Sequence, residues 1–332
     1  LEEVLGILKS VNVNAWAVPE GSFFGIEEPV LVIEGKYEDF GIFETALLGL
    51  CCQASGIATK SARCKIASDG KSVFSFGARR VHPAIAPLVE RNAYLGGCDG
   101  VACVKSAEIL KLEPVGTIPH ALILIMGDTV KATEAFDEVI DKKVSRIALI
   151  DTFQDEKFEA VNVARALGEH LFAVRLDTPY SRRGDFKKIL GEVRWELNLR
   201  GFENVKIIIS GGLDEYKIKE FNQYADAFGV GTAISNAPVL DFAMDIVEID
   251  NVPIAKRGKL SGRKNLLRCP ECFSRKTVPF KEKEAICACG EKMENILKPL
   301  VKNGKVLFDL PHINKTREYV LEQMKYFKGL FK

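Results

Sequence analysis

The sequence predicts an α/β chain organised around a parallel, barrel-like sheet. Three observations support that fold class. Short continuous apolar runs recur between residues 73 and 245; amphipathic stretches separate the later ones; and nearly every run ends in a glycine or a polar functional group. Continuous apolar strands alternating with helices denote a parallel sheet covered on both faces. Polar strand ends that converge on one face are the habit of a barrel, with an open doubly wound sheet as the alternative.

In chain order, the first seventy residues read as α+β. Val11–Val18 and Pro29–Glu34 are β-branched runs bounded by Asn, Pro and Gly, and Glu44–Ala58 is a mostly apolar helix. The strand series follows: Val73–Phe76, Gly100–Val104, Val115–Thr117, Ile147–Ile150, Phe172–Val174, Ile207–Ile209 and Ala227–Val230. Between the later ones, Glu156–Leu167, with Phe158, Val161, Val163, Ala164 and Leu167, reads as an amphipathic helix, as do Asp185–Leu199 and Leu213–Tyr224. Past Val252 the composition shifts. Asn251–Pro270 holds six basic residues and no acid, a cysteine cluster follows, Lys298–Leu310 reads as strands, and Lys315–Phe331 as a closing helix with Val320, Met324 and Phe327 on one face.

Composition limits the function. The chain has 332 residues, 47% hydrophobic and 27% charged, with 46 Lys+Arg against 45 Asp+Glu. Those fractions describe a globular protein with a sizeable core and exclude a disordered or fibrous one. A net charge of +1 argues against general nucleic-acid binding. The longest apolar run, around Ala121–Met126, is strand-length, well short of the roughly 18 residues a membrane helix needs. Nine cysteines, an odd number without a secretory signal, point to a reducing, cytoplasmic setting. The chain begins at Leu1 rather than Met, so an N-terminal segment is expected to be missing.

Several residue groups carry chemistry. Cys269-Pro-Glu-Cys272 and Cys287-Ala-Cys289, followed by Gly290, present four thiolates suited to a closed tetrahedral zinc site, structural rather than catalytic; an iron–sulfur cluster is the alternative. Ser210, Gly211 and Gly212 follow one apolar strand, and Gly229 and Gly231 border the next, so both read as phosphate-binding loops at strand ends, with ordinary turn glycines as the plain alternative. Asp151 and Asp177 are acids at strand ends, costly there unless paired or used. Arg175 lies two residues before Asp177 on an extended chain, so their side chains share a face. His120, in Gly116-Thr117-Ile118-Pro119-His120, is a candidate for acid–base or nucleophilic work. In Phe76-Gly77-Ala78-Arg79-Arg80 an aromatic ring and guanidiniums could bind a flat ring and an anion; His82 is a weaker candidate, and His170 and His312 read as surface residues. Lys256, Arg257, Lys259 and Arg263 read as a solvated linker by composition, with a nucleic-acid contact or a second anion clamp as the alternatives.

Read in order, FGARR, GGCDGV, GTIPH, ALIDTF, VRLDTP, ISGGLD and FGVGT resemble the nicotinate phosphoribosyltransferases, in particular the archaeal type with a zinc knuckle, within the type II phosphoribosyltransferase family. The resemblance implies an irregular α/β barrel (71–245) with an α/β sandwich N-terminal domain (1–70) and a small C-terminal zinc-binding segment (246–332, knuckle 269–289). It implies transfer of phosphoribose from 5-phosphoribosyl-1-pyrophosphate (PRPP) to nicotinic acid, giving nicotinate mononucleotide and pyrophosphate in NAD salvage, with ATP coupling in the family. By that resemblance Phe76 stacks on the pyridine ring, Arg79 contacts pyrophosphate, Thr117 and Arg175 approach the nicotinate carboxylate, and Asp99 lies near the base. His120 matches a phosphorylated histidine, and Asp151 and Asp177 hold the ribose hydroxyls and Mg²⁺. Ser210, Gly211, Gly212, Gly229 and Gly231 cradle the 5′-phosphate, while Lys256, Arg257, Lys259 and Arg263 serve phosphates, often across a subunit boundary. A homo-oligomer with its site at a subunit interface is implied too, as is an aromatic lid from the missing N-terminal segment. The alternatives are a nicotinamide or quinolinate phosphoribosyltransferase, another phosphosugar barrel such as an aldolase or isomerase, and, weakest, a nucleic-acid-binding module.

Overall fold

Largely apolar and mostly buried runs make the strands of Ile57–Ala237, because a strand covered on both faces has no polar side to present. Six of them pair in parallel: Ser72–Ser75, Gly100–Val101, Arg146–Leu149, Leu171–Leu176, Lys206–Ile209 and Ala227–Val230. Their order across the sheet is 100–101, 72–75, 227–230, 206–209, 171–176, 146–149. Val115–Thr117 is not among them. Pro114 and Pro119, which cannot donate, bracket the segment, and among the described residues only its Val115 N–H finds a backbone partner, Val101 O at 2.8 Å. That segment instead lays Ile118 and Ile123 against Leu149 beside the last strand. The sheet is therefore an incomplete barrel of six strands. The apolar run 121–126 is part of a helix, His120–Met126, which buries Ile123 and exposes Leu124 and Ile125.

Aspartates open the covering helices. Asp128, Asp155, Asp185 and Asp214 each accept a backbone N–H of the first turn, starting helices Thr129–Val139, Glu156–Leu167, Phe186–Leu199 and Glu215–Phe221. These helices pack Ala160, Val163, Leu190, Val193, Leu197 and Ile218 onto the outward side of Val73, Ala148, Val174, Ile207 and Phe228.

The structure, a computed structural model, describes residues 1–327, and the chain divides into Ile57–Ala237 and a second compact unit formed by Leu1–Gly56 with the residues from Pro238 onward. In that second unit, Asn14–Ala17 lies between Leu31–Glu34 and Lys298–Lys302 in an antiparallel sheet. Val4, Leu8, Val13, Ala15, Leu47, Leu300 and Val301 fill its core. A further antiparallel sheet, of Arg275–Pro279, Lys264–Arg268, Lys292–Asn295 and Ala285–Ile286, carries the cysteines in its turns. Phe273, just after Cys272, packs on Tyr326 of the helix Ile313–Phe327 with ring centroids 4.3 Å apart. Residues 328–331 of the expected closing helix lie outside the described residues.

Glu44–Ala67 forms a helix longer than expected from sequence, and Tyr37–Ala67 is long and apolar enough, by composition, to cross a membrane. Part of it packs inward. Leu47 belongs to one core and Ile57 and Cys64 to the other, while Lys60 and Arg63 hold the buried carboxylate of Glu215 at 2.9 Å each.

Candidate active site

Period-two alternation along the parallel strands builds the site in tiers. Phe74, Ile147, Ala173, Ile208 and Ala227 form an apolar plug on the concave face. Two residues further along the same strands stand Phe76, Leu149, Arg175, Ser210 and Gly229, and beyond those Asp151 and Asp177. Polarity therefore rises toward the C-terminal strand ends, where a ligand can reach it.

The polar tier is one connected network. The Asp151 side chain is 1% exposed; its Oδ1 lies 3.1 Å from His120 Nε2 and its Oδ2 accepts the Asp177 N–H at 3.0 Å. Burial pushes the Asp151 carboxyl above the ordinary carboxylate range, and the neighbouring Asp177 charge adds to the rise, while His120 and the Asp177 N–H oppose it. Arg175 donates to the Thr117 hydroxyl and approaches Asp177 Oδ2 at 3.5 Å. Desolvation lowers the Arg175 pKa, with the Arg79 charge acting in the same direction and Asp177 and Asp151 against it. Arg175 Nε is buried without a partner, a donor left available. Ser210 donates its hydroxyl to Asp177 Oδ1 at 2.8 Å.

Two residues invisible to the sequence reading complete the cluster. Thr178, 2% exposed, donates to Glu156 Oε1 at 2.9 Å. Arg183, from the short helix Tyr180–Arg183, is buried and donates to the carbonyls of Thr178, Ser210 and Gly211. The only advance signal was an Arg-Arg-Gly run just past the Asp177 strand.

Other expected site residues fall elsewhere. Asp99 precedes the strand Gly100–Val101, level with the opposite, N-terminal end of Ser72–Ser75. There it accepts the Val73 N–H at 2.9 Å and pairs with Lys65 at 2.8 Å. It is an anchor of the sheet's base and not a base-binding acid. Gly229 lies within its strand, and a Cβ there would sit 2.5 Å from Phe76 Cδ2, so this glycine makes room for the Phe76 ring and does not cradle phosphate. Gly231 caps the short helix Thr232–Ser235. Arg79 is exposed just beyond Phe76.

The basic stretch belongs to the other unit and largely neutralises acids there. Lys256 and Lys259 reach Asp245 at 3.5 and 3.3 Å. Arg263 pairs with Glu34 at 2.7 Å and lies between the Trp16 and Phe280 rings, 3.9 and 3.8 Å from their centroids. An arginine held this way is a packing element, so the expectation that Arg263 serves phosphate is corrected. Arg257 makes no ion pair among the described residues.

The sulfur atoms of Cys269, Cys272, Cys287 and Cys289 all lie within 4.8 Å of one another. Cys269–Cys289 and Cys272–Cys287 are 3.5 and 3.4 Å apart. A tetrahedral zinc with Zn–S of about 2.3 Å requires sulfurs about 3.8 Å apart, so the donor set fits a metal ion.

Comparisons with known proteins agree with this geometry. The family model of the quinolinate phosphoribosyl transferase C-terminal domain matches residues 57–245, and that of the N-terminal domain matches residues 1–55. The chain is similar to a nicotinate-nucleotide pyrophosphorylase of known structure from Pyrococcus furiosus, with 58% identity and a TM-score of 0.96 over 98% of this chain and 84% of that one. A nicotinate phosphoribosyltransferase of Mycobacterium tuberculosis is 29% identical over 330 residues, 94% of this chain and 68% of the relative. The human nicotinic acid phosphoribosyltransferase structure shares the fold, with a TM-score of 0.69 at 20% identity over 95% of this chain and 77% of that one. On the strength of the domain models and the Pyrococcus likeness, the chain belongs to the quinolinate phosphoribosyl transferase family.

Proposed function

We propose that this chain transfers phosphoribose from PRPP to nicotinic acid, forming nicotinate mononucleotide and pyrophosphate. The observation that carries the reading is the strand-end network of Thr117, Arg175, Asp177, Ser210, Asp151 and His120 above an aromatic floor at Phe76. The names of the relatives support the same substrate pair. Nicotinate is favoured over quinolinate because the buried cations offer one clamp rather than two. Arg183 is engaged with backbone carbonyls, which leaves the free Nε of Arg175 and the exposed Arg79.

In this mechanism the bond from the ribose anomeric carbon to pyrophosphate breaks, positive charge develops on the ribosyl ring, and the pyridine nitrogen attacks. The chain supplies position and charge. Phe76 and Arg175 orient the base, Arg79 faces pyrophosphate, and Asp151 and Asp177 stabilise the cationic ring. Asp151 and Asp177, two carboxylates whose charges already oppose each other, suit a Mg²⁺ ion, which when bound neutralises pyrophosphate charge. His120 is the candidate for phosphorylation by ATP, held through Nε2 by Asp151 with Nδ1 as its other ring nitrogen. The four cysteines hold a structural zinc in the manner of the archaeal type. Exposed Leu124, Ile125, Met126 and Val139 support a homo-oligomer. Pyrophosphate release measured with PRPP and nicotinate, nicotinamide or quinolinate tests the proposal. Release with nicotinate alone is expected, and none with nicotinate would overturn it.

A further inference from the structure

We infer that Arg183 is a positioning residue for the 5′-phosphate subsite: it never touches the ligand but turns the Gly211 and Gly212 N–H groups toward it. The inference rests on the phosphoribosyl-transfer reading and deepens it.

Arg183 Nη2 donates to Ser210 O at 2.9 Å and to Gly211 O at 2.5 Å, and Nε donates to Thr178 O at 2.7 Å. In a trans peptide the carbonyl and the N–H point in opposite directions, and no cis bond is present among the described residues. Fixing the Ser210 carbonyl therefore turns the Gly211 N–H away from the guanidinium, and fixing the Gly211 carbonyl does the same for the Gly212 N–H. Among the described residues neither of these two N–H groups has an acceptor. Two adjacent unpaired N–H groups on a left-handed turn (Gly211 φ +83°, Gly212 φ +64°) form a concavity suited to a phosphate oxygen.

The loop is packed closely against the arginine. A Cβ on Gly211 would stand 2.9 Å from Asp177 Oδ1 and 3.0 Å from Arg183 Nη2. The guanidinium is itself seated over the Phe186 ring, 4.8 Å from its centroid. Because its third bond goes to Thr178, beside Asp177, the same side chain fixes the distance between the ribose acids and the phosphate loop. Those are the two ends of one sugar phosphate.

The test is steady-state kinetics of Arg183→Ala and Arg183→Lys in the full chain. KM for PRPP should rise about 10–100-fold in Arg183→Ala, the loss expected for charge-assisted hydrogen bonds, with kcat and KM for nicotinate little changed. Arg183→Lys should fall between, and added guanidinium should restore Arg183→Ala. A PRPP KM within about twofold of the native value, a loss in kcat and both KM values together, or no rescue by guanidinium would overturn the inference. Native protein that releases no pyrophosphate from PRPP would instead remove the parent reading. Should the variants not fold, amide exchange at residues 210–213 of the native chain decides the question. Saturating ribose 5-phosphate should slow it, and unchanged exchange refutes the assignment.

Discussion

Gly229→Ala is the sharpest test of how the aromatic floor is built. The added Cβ would lie 2.5 Å from Phe76 Cδ2 and 3.2 Å from Ser210 Cβ, against an ordinary contact of about 3.4–4 Å. Close to 1 Å must be recovered. The strand cannot retreat, because it is hydrogen-bonded on both sides, to Ser72–Ser75 and Lys206–Ile209. The Phe76 ring must therefore move, and Phe74 stands in a stacked arrangement behind it at 6.4 Å. Overpacking of this kind costs about 1–3 kcal/mol. At about 2–4 °C per kcal/mol for a unit of roughly 150–250 residues, the melting temperature should fall by several degrees. KM for nicotinate should rise more than KM for PRPP, since the Phe76 ring takes the much closer contact and Ser210, at 3.2 Å, the milder one. Phe76→Leu combined with Gly229→Ala should recover stability but not nicotinate affinity, a coupling visible in a double-mutant cycle. A Gly229→Ala variant that melts with the native chain and keeps its nicotinate KM would refute both the packing and the stacking role.

Two further outcomes follow from the same site and from the cysteine cluster. Burial raises the folded-state pKa of Asp151, so the folded chain binds that proton more tightly than the unfolded one. The resulting stabilisation is full below the unfolded value of about 3.9 and is lost as pH rises through the folded value. Asp151→Asn should therefore gain melting temperature relative to the native chain from about pH 4 upward while transfer activity collapses, and parallel pH profiles would contradict this. Metal analysis should find about one zinc per chain, and a chelator should lower the melting temperature and open the 269–289 region to protease. Metal-free chain that melts like the native would count against a structural metal.

Much of the barrel was legible because buried parallel strands must be continuously apolar, as Ile207–Ile209 and Ala227–Val230 are. The strand-end positions of Asp151, Arg175, Asp177 and Ser210 follow from the same runs. Sequence failed where the outcome depended on which end or which face. Asp99 and Asp151 both flank short apolar strands, yet one precedes its strand and the other follows it, and only the parallel register separates base from mouth. Gly229 looks like a loop glycine until the Phe76 ring is seen filling its place. Arg263 belongs to a run that reads as an anion clamp, and nothing local reveals that its partner Glu34 lies 229 residues away. Arg183 leaves little local trace in the sequence because its hydrogen bonds go to carbonyls, which every residue has.

The strand Asn14–Ala17 has one neighbour at Leu31–Glu34 and the other at Lys298–Lys302. On the ribosome, at about 5–20 residues per second, its second partner emerges on the order of ten seconds to a minute after the first. Ile57–Ala237 is made within that interval and is complete about 60 residues before Lys298, so it can begin to close before the second partner appears. Vectorial synthesis thus sets an order: the barrel unit can close first, and Asn14–Ala17 keeps an open strand edge until Lys298–Lys302 is made. A nascent chain stalled soon after Ala237 should show a protease-resistant barrel and a digestible first fifty-six residues, and equal resistance of the two would exclude that order.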